Sequence, residues 1–102
     1  MRVLALAVFL PGLALAQTPD GRAIALHGNG NGALPCAACH GVNGQGNASI
    51  GAPRLAGLPA GVIVGALQGF AKGDGGNAMM QNIARGLSAA EMRAVAGYFS
   101  GL

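Results

Sequence analysis

The stretch Cys36-Ala37-Ala38-Cys39-His40 decides how this chain folds. Two cysteines separated by two residues and followed at once by a histidine form the C-x-x-C-H pattern of covalent haem attachment. This spacing places both thiols on one side of a turn, where each can form a thioether with one haem vinyl group. The next residue, His40, is then carried under the iron, which an imidazole nitrogen can ligate. The motif therefore predicts one covalently bound haem.

Three other roles are open to a C-x-x-C pair. A thiol–disulfide redox motif lies at the start of a helix after a strand, and no such pattern precedes Cys36. Half of a zinc site needs a second pair of ligands, which the sequence lacks. A structural disulfide across two residues closes a small loop and stabilises a fold only weakly. Haem attachment is the interpretation that the pattern favours.

The composition also points to a cofactor. The 102 residues suffice for one domain, yet they include 19 glycines, no tryptophan and only 4% aromatic residues. Domains this small usually need a covalent staple, a metal or a cofactor to be stable. A large flat macrocycle would fill the centre that the side chains leave empty. The net charge of +3 is low and scattered, which argues against nucleic acid as a partner.

Residues 1–16 have the pattern of an export signal. Arg2 supplies a positive charge, residues 3–10 are apolar, and Ala14-Leu15-Ala16 matches the small-residue cleavage site. A membrane anchor is the alternative, but the apolar run is shorter than the roughly 20 residues of a spanning helix. We expect a signal peptide over residues 1–16 and a mature domain over residues 17–102 without a membrane span.

Three helices are predicted between glycine-rich loops, and no segment alternates as a strand does. The first covers residues 19–27, with Thr18 as its cap and a glycine-rich stop after it. The second covers residues 59–72 and ends at Gly73. Its apolar positions recur at helical spacing; they are Ile63, Ala66, Leu67 and Phe70.

The third helix covers residues 89–100 and carries the clearest signals. Ser88 and Glu91 form a capping box. An apolar stripe runs along the helix after the cap; it consists of Met92, Val95, Ala96 and Phe99. The fold class predicted from these segments is all-α with long loops.

A second iron ligand is expected opposite His40 if the protein only moves electrons. Met79 and Met80 lie in a polar stretch, which we interpret as a loop before the last helix. A thioether ligand raises the reduction potential and leaves no coordination site for a substrate. Met80 is the favoured ligand, Met79 is the second choice, and His27 or an open site is the remaining alternative.

Together these residues resemble the class I cytochromes c, especially the short bacterial periplasmic ones with a single haem. The resemblance rests on Cys-Ala-Ala-Cys-His-Gly at 36–41, Pro-Arg-Leu-Ala-Gly at 53–57, the methionines at 79–80 and the pattern over 87–99. It implies three main helices and long loops wrapped around one haem c.

The resemblance also implies roles for single residues. Met80 would be the distal ligand, the carbonyl of Pro53 would accept the Nδ1–H of His40, and Leu55 would pack on the haem face. Cys36, Cys39 and His40 match the attachment motif.

The function that the resemblance implies is periplasmic electron transfer rather than catalysis. The partners would be a periplasmic dehydrogenase, a respiratory complex, or a terminal oxidase or reductase. An enzyme or gas sensor would instead need an open distal site with catalytic polar groups. An accessory subunit fixed in a larger complex is a third hypothesis, which the sequence does not separate from a free carrier.

Overall fold

The computed structural model describes residues 18–102, so the signal peptide predicted over residues 1–16 lies outside the described residues. Five α-helices and one short 3₁₀ helix form this part of the chain, with a single isolated bridge between Asn47 and Ala52. The elements are α1 (Gly21–His27), α2 (Ala37–His40), the 3₁₀ helix (Ala48–Ile50), α3 (Ala60–Ala71), α4 (Ala78–Arg85) and α5 (Ala89–Ser100). The all-α prediction is confirmed. Among residues 18–102, no helix is both long and apolar enough to cross a membrane.

Helix α5 forms as predicted, because both its cap and its apolar stripe are local. The Ser88 hydroxyl accepts a hydrogen bond from the Glu91 amide at 3.1 Å, and the Glu91 carboxylate accepts one from the Ser88 amide at 2.9 Å. All four residues of the predicted stripe are buried: Met92, Val95, Ala96 and Phe99. Phe99 is only 1% exposed, so α5 forms the floor of the core.

Helix α1 begins later than predicted, and a different residue caps it. The helix starts at Gly21, and the Asp20 carboxylate accepts a hydrogen bond from the Ala23 amide at 3.1 Å. The prediction of Thr18 as cap was therefore wrong. A carboxylate is at least as good a cap as a hydroxyl, and the helix dipole favours its negative charge at this end. The predicted end at His27 is confirmed, with Gly28 at a φ of 76° after it.

Helices α1 and α5 touch backbone to backbone at Gly21. A Cβ added there would collide with the carbonyl group of Ala94, so no larger residue fits without moving one of the helices. Ile24 and Ala25 of α1 are buried in the same core cluster as Val95 of α5. A glycine at this crossing therefore decides how closely the first and last helices approach.

Helix α4 replaces the loop predicted around the two methionines. Residues Ala78–Arg85 are helical, and Asn77 caps them. The helix has only eight residues, and only Ile83 and Ala84 are buried in it. Its apolar pattern covers only about two turns, which is too short to distinguish a helix from a loop in the sequence.

Helix α3 agrees with the prediction to within a residue at each end, and Gly73 stops it with a φ of 88°. Ile63 and Leu67 are buried, whereas Ala66 on the same predicted face is exposed. Ala66 lines a large cavity instead of the packed core.

Candidate functional site

A cavity of about 500 Å³ opens between the cysteine motif, the loop after the 3₁₀ helix, α3 and α4. Val95 and Phe99 of α5 close it on the side of the core. The predicted site residues all line this one cavity: Cys36, Cys39, His40, Pro53, Leu55 and Met80. The fold thus brings together side chains that lie up to 44 positions apart in the sequence.

His40 is held at the end of α2 with one ring nitrogen occupied. It is 7% exposed, and its Nδ1 lies 2.8 Å from the carbonyl oxygen of Pro53. Because a carbonyl oxygen only accepts, Nδ1 must be the donor, and the lone pair of the neutral ring then lies on Nε2. Nε2 itself makes no hydrogen bond within residues 18–102. Because none of the buried side-chain nitrogens and oxygens of these residues lacks a hydrogen bond, Nε2 is accessible. The ring is therefore oriented as metal-ligating imidazoles are.

The loop from Gly46 to Pro53 carries the accepting carbonyl to His40. The amide of Gly46 donates to the His40 carbonyl at 2.7 Å, and Asn47 and Ala52 exchange two backbone hydrogen bonds of 2.8 and 3.0 Å. Gly46 has a φ of 85°, and a Cβ there would lie 2.7 Å from the Arg54 nitrogen and 2.9 Å from the Pro53 carbonyl carbon. Gly46 therefore shapes the loop that bonds to His40; the sequence did not indicate this role, since nothing distinguishes it from the other loop glycines before folding.

The two cysteines differ in exposure, and within the described residues both are free thiols. Burial raises the pKa of the Cys36 thiol above its ordinary value of 9.0, although a hydrogen bond with its own backbone opposes the rise. A raised pKa makes the Cys36 thiol less reactive, because the thiolate is the nucleophilic form. Across residues 18–102, no three histidine, cysteine or acidic side chains come close enough to hold a metal ion together. A zinc site of protein ligands alone therefore lacks its donors.

The methionines are placed differently although both line the cavity. Met80 is partly buried and packs against the core cluster, whereas Met79 is 53% exposed. His27, the competing ligand, is exposed and is not among the residues that line the cavity. The structure thus brings both methionines to the site and leaves His27 outside it.

The donor set of the cavity fits a haem. Two thiols, an accessible imidazole nitrogen and thioether side chains all border one space. Its volume lies within the roughly 300–1,000 Å³ of pockets that hold small molecules and cofactors. Its other walls are mainly apolar, as a macrocycle requires, with Leu55, Leu58, Ile63, Leu67 and Phe70 among them.

Comparison with known proteins agrees with this geometry. The family model described as Cytochrome c matches residues 28–102. The "Thiosulfate dehydrogenase electron acceptor" of Thiomonas intermedia (strain K12) is 49% identical over 70 residues, which cover 69% of this chain and 32% of that protein. The protein of the same name from Stutzerimonas stutzeri (strain A1501) is 46% identical over 82 residues, covering 79% and 38%. The chain therefore spans about a third of the length of these curated relatives.

A solved structure of Acidithiobacillus ferrooxidans cytochrome c4 superposes with a TM-score of 0.74 at 40% identity. The match covers 80% of this chain and 48% of that one. The helices around the cavity therefore have the arrangement found in that protein.

Proposed function

The chain belongs to the cytochrome c family, and from this premise we propose that it carries electrons in the periplasm by one haem, whose iron His40 and Met80 would ligate. It is a bacterial class I cytochrome c whose cofactor is a covalently attached c-type haem, and it serves electron transfer. When bound, the haem supplies a one-electron couple between ferric and ferrous iron.

The observation that carries the proposal is the orientation of His40. Its Nδ1 donates to the Pro53 carbonyl at 2.8 Å, which leaves Nε2 as the ligating atom in the cavity that Cys36 and Cys39 border. The hydrogen bond also increases the electron density of the imidazole and thereby stabilises the higher oxidation state of a bound metal. Cys36 and Cys39 provide the two thioethers.

Met80 is the residue that would supply the second ligand of the iron. Its side chain packs against the core cluster while lining the cavity, so little of its motion remains to be lost when it binds iron. Met79 is 53% exposed and would have to leave solvent to reach the same place. A filled distal position leaves no room for a substrate, which favours a carrier over an enzyme or gas sensor.

The proposed electron donor is a periplasmic dehydrogenase, because two relatives are named as electron acceptors of thiosulfate dehydrogenase. The electrons would pass on to a respiratory complex or to a terminal oxidase or reductase. Docking would use the surface beside α2, where Cys39 is exposed and Val42 is 57% exposed. Small apolar contact surfaces are typical of short-lived redox encounters.

The test uses the exported, haem-loaded protein in its ferric state. When the ferric protein is mixed with a thiosulfate dehydrogenase and thiosulfate, its haem iron should be reduced. Omission of thiosulfate should abolish this reduction. The rate should change by no more than a few-fold between low and physiological salt, because the net charge is small. Reduction by another dehydrogenase alone would overturn the choice of partner. Rapid peroxide turnover by the isolated protein would overturn the role as a carrier.

A further inference from the structure

Asn77 stands where a glycine-rich loop enters the helix that carries Met80. The loop between α3 and α4 contains Gly73, Gly75 and Gly76, whose φ values are 88°, 76° and 67°. These positive φ values favour glycine, which has no side chain that could pack against the next helix or cap it. Asn77 is the first residue after the loop whose side chain is tied to α4.

The carboxamide of Asn77 bonds to Met80 itself. Its Oδ1 accepts a hydrogen bond from the Met80 amide at 2.8 Å, and its backbone carbonyl accepts one from the Gln81 amide at 2.9 Å. The Gln81 side chain then donates back to the Gly75 carbonyl at 3.1 Å. Asn77 also lines the cavity beside Met80. The Asn77 side chain thus holds the first turn of the helix beside the wall of the site, and the Gln81 side chain links that turn to the loop.

The core buries residues only in the second turn of α4, and in the first turn Met80 alone packs partly against it. Ile83 and Ala84 are buried, whereas Ala78 and Met79 are exposed. An eight-residue helix is marginal by itself, so its first turn depends on the cap. Met80 is the third residue of that turn and would move with it if the turn frayed.

We infer that Asn77 is a positioning residue for Met80: its carboxamide holds the Met80 backbone so that the thioether stays at the distal side of the haem site. This inference rests on the proposed function, in which Met80 is the distal ligand. It assigns Asn77 no contact with the iron. Its effect is on the fraction of molecules in which the thioether is in place.

Imidazole binding to the ferric protein measures the remaining fraction, in which the thioether is displaced, because added imidazole can bind only where the thioether has left. The apparent affinity rises in proportion to the population that is open. Loss of a typical helix cap changes such an equilibrium by about fivefold, so Asn77→Ala should lower the apparent Kd for imidazole by about that factor. Asn77→Asp keeps an acceptor at the same reach and should restore the apparent Kd to near that of the unchanged protein.

Asp20→Ala is the matched control, since it removes the cap of α1, which bears none of the proposed site residues. It should lower the unfolding temperature and leave imidazole affinity unchanged. If Asn77→Ala and Asp20→Ala have the same imidazole affinity, Asn77 is an ordinary cap and the inference is wrong. If Met80→Ala keeps the far-red band of sulfur-ligated ferric haem, the ligand assignment under the proposed function is wrong instead.

Hydrogen exchange of the unaltered haem-loaded protein supplies a second measurement that does not depend on a variant folding. The Met80 amide should exchange more slowly than the Met79 amide, which has no acceptor among the hydrogen bonds of residues 18–102. Equal exchange rates for the two amides would show that the cap does not hold in solution and would overturn the inference.

Discussion

The Nδ1 atom of His40 lies 2.8 Å from the carbonyl oxygen of Pro53, 13 residues further along the chain. The acceptor belongs to the backbone, so no side-chain substitution at Pro53 removes it. The loop that places this carbonyl can be changed, and Gly46 packs directly against that loop. A substitution at Gly46 should therefore change the strength of this hydrogen bond.

Gly46→Ala should raise the reduction potential of the haem-loaded protein. The added Cβ would lie 2.9 Å from the Pro53 carbonyl carbon, so the carbonyl must shift and its hydrogen bond to His40 must weaken. A less basic imidazole stabilises ferric iron less well. We expect the midpoint potential to rise on the order of 30 mV in a redox titration. This is about half a decade in the equilibrium constant for reduction, at roughly 59 mV per decade for one electron.

Gly57→Ala is the matched control, because Gly57 has a φ of 79°, has nothing within 4 Å of its added Cβ and does not line the cavity. It carries the same type of backbone strain without displacing Pro53. Equal potentials in the two variants would mean that the His40–Pro53 distance does not tune the haem.

Met80→Ala should abolish the far-red absorption band of the ferric protein, and Met79→Ala should leave it in place. Met80 packs against the core beside the cavity, whereas Met79 is largely exposed. Removal of a thioether ligand should also lower the reduction potential, since methionine raises it. Loss of the band in Met79→Ala alone would reverse the assignment.

Gly21→Ala should destabilise the fold by about 1–3 kcal/mol, which is the usual cost of overpacking a close contact. The added methyl group would collide with the Ala94 carbonyl and push α1 away from α5. The measurement is chemical denaturation of the haem-loaded protein. Gly97→Ala is the control: this helical glycine has open space around it, so the change should stabilise α5 by up to about 1 kcal/mol. A Gly21→Ala protein as stable as the unchanged one contradicts the direct backbone contact.

Glu91 should make the fold weakly sensitive to acid. Hydrogen bonds from the Ser88 amide, from Asn29 and from the Ser88 hydroxyl lower the pKa of the Glu91 carboxyl below its ordinary value of 4.5, and desolvation partly opposes them. A carboxyl group whose pKa is lower in the folded than in the unfolded state stabilises the fold at pH values above its unfolded-state pKa. It loses that contribution as the pH falls through its folded-state pKa. Stability should therefore decline below about pH 4.5, by a few tenths of a kcal/mol for this partly exposed group.

Glu91→Gln should remove that part of the pH dependence in thermal unfolding curves recorded between neutral and acidic pH. The glutamine side chain still offers an oxygen to the Ser88 amide, so the helix itself should persist. Asp74→Asn controls for the loss of one negative charge in an exposed loop. An unchanged acid slope in Glu91→Gln would assign the pH sensitivity to other groups.

The capping box and the apolar stripe of α5 could be predicted because each depends on residues close in sequence. The C-x-x-C-H motif could likewise be recognised from five consecutive residues. The end of α3 at Gly73 was predictable for the same reason. The predictions for the cap of α1 and the loop around Met80 were wrong. In both places several neighbouring polar residues could cap a helix, and the local pattern does not indicate which carboxylate or amide does so.

By itself, the sequence determined that the chain forms an all-α domain with a covalent haem, since neighbouring residues encode the C-x-x-C-H motif and the principal helices. Only the tertiary structure decided the surroundings of that point: which carbonyl receives His40 Nδ1, which methionine packs against the core, and which glycine lets α1 lie on α5. These relationships join residues far apart in the chain. They depend on distances of a few ångström that arise only when the helices pack.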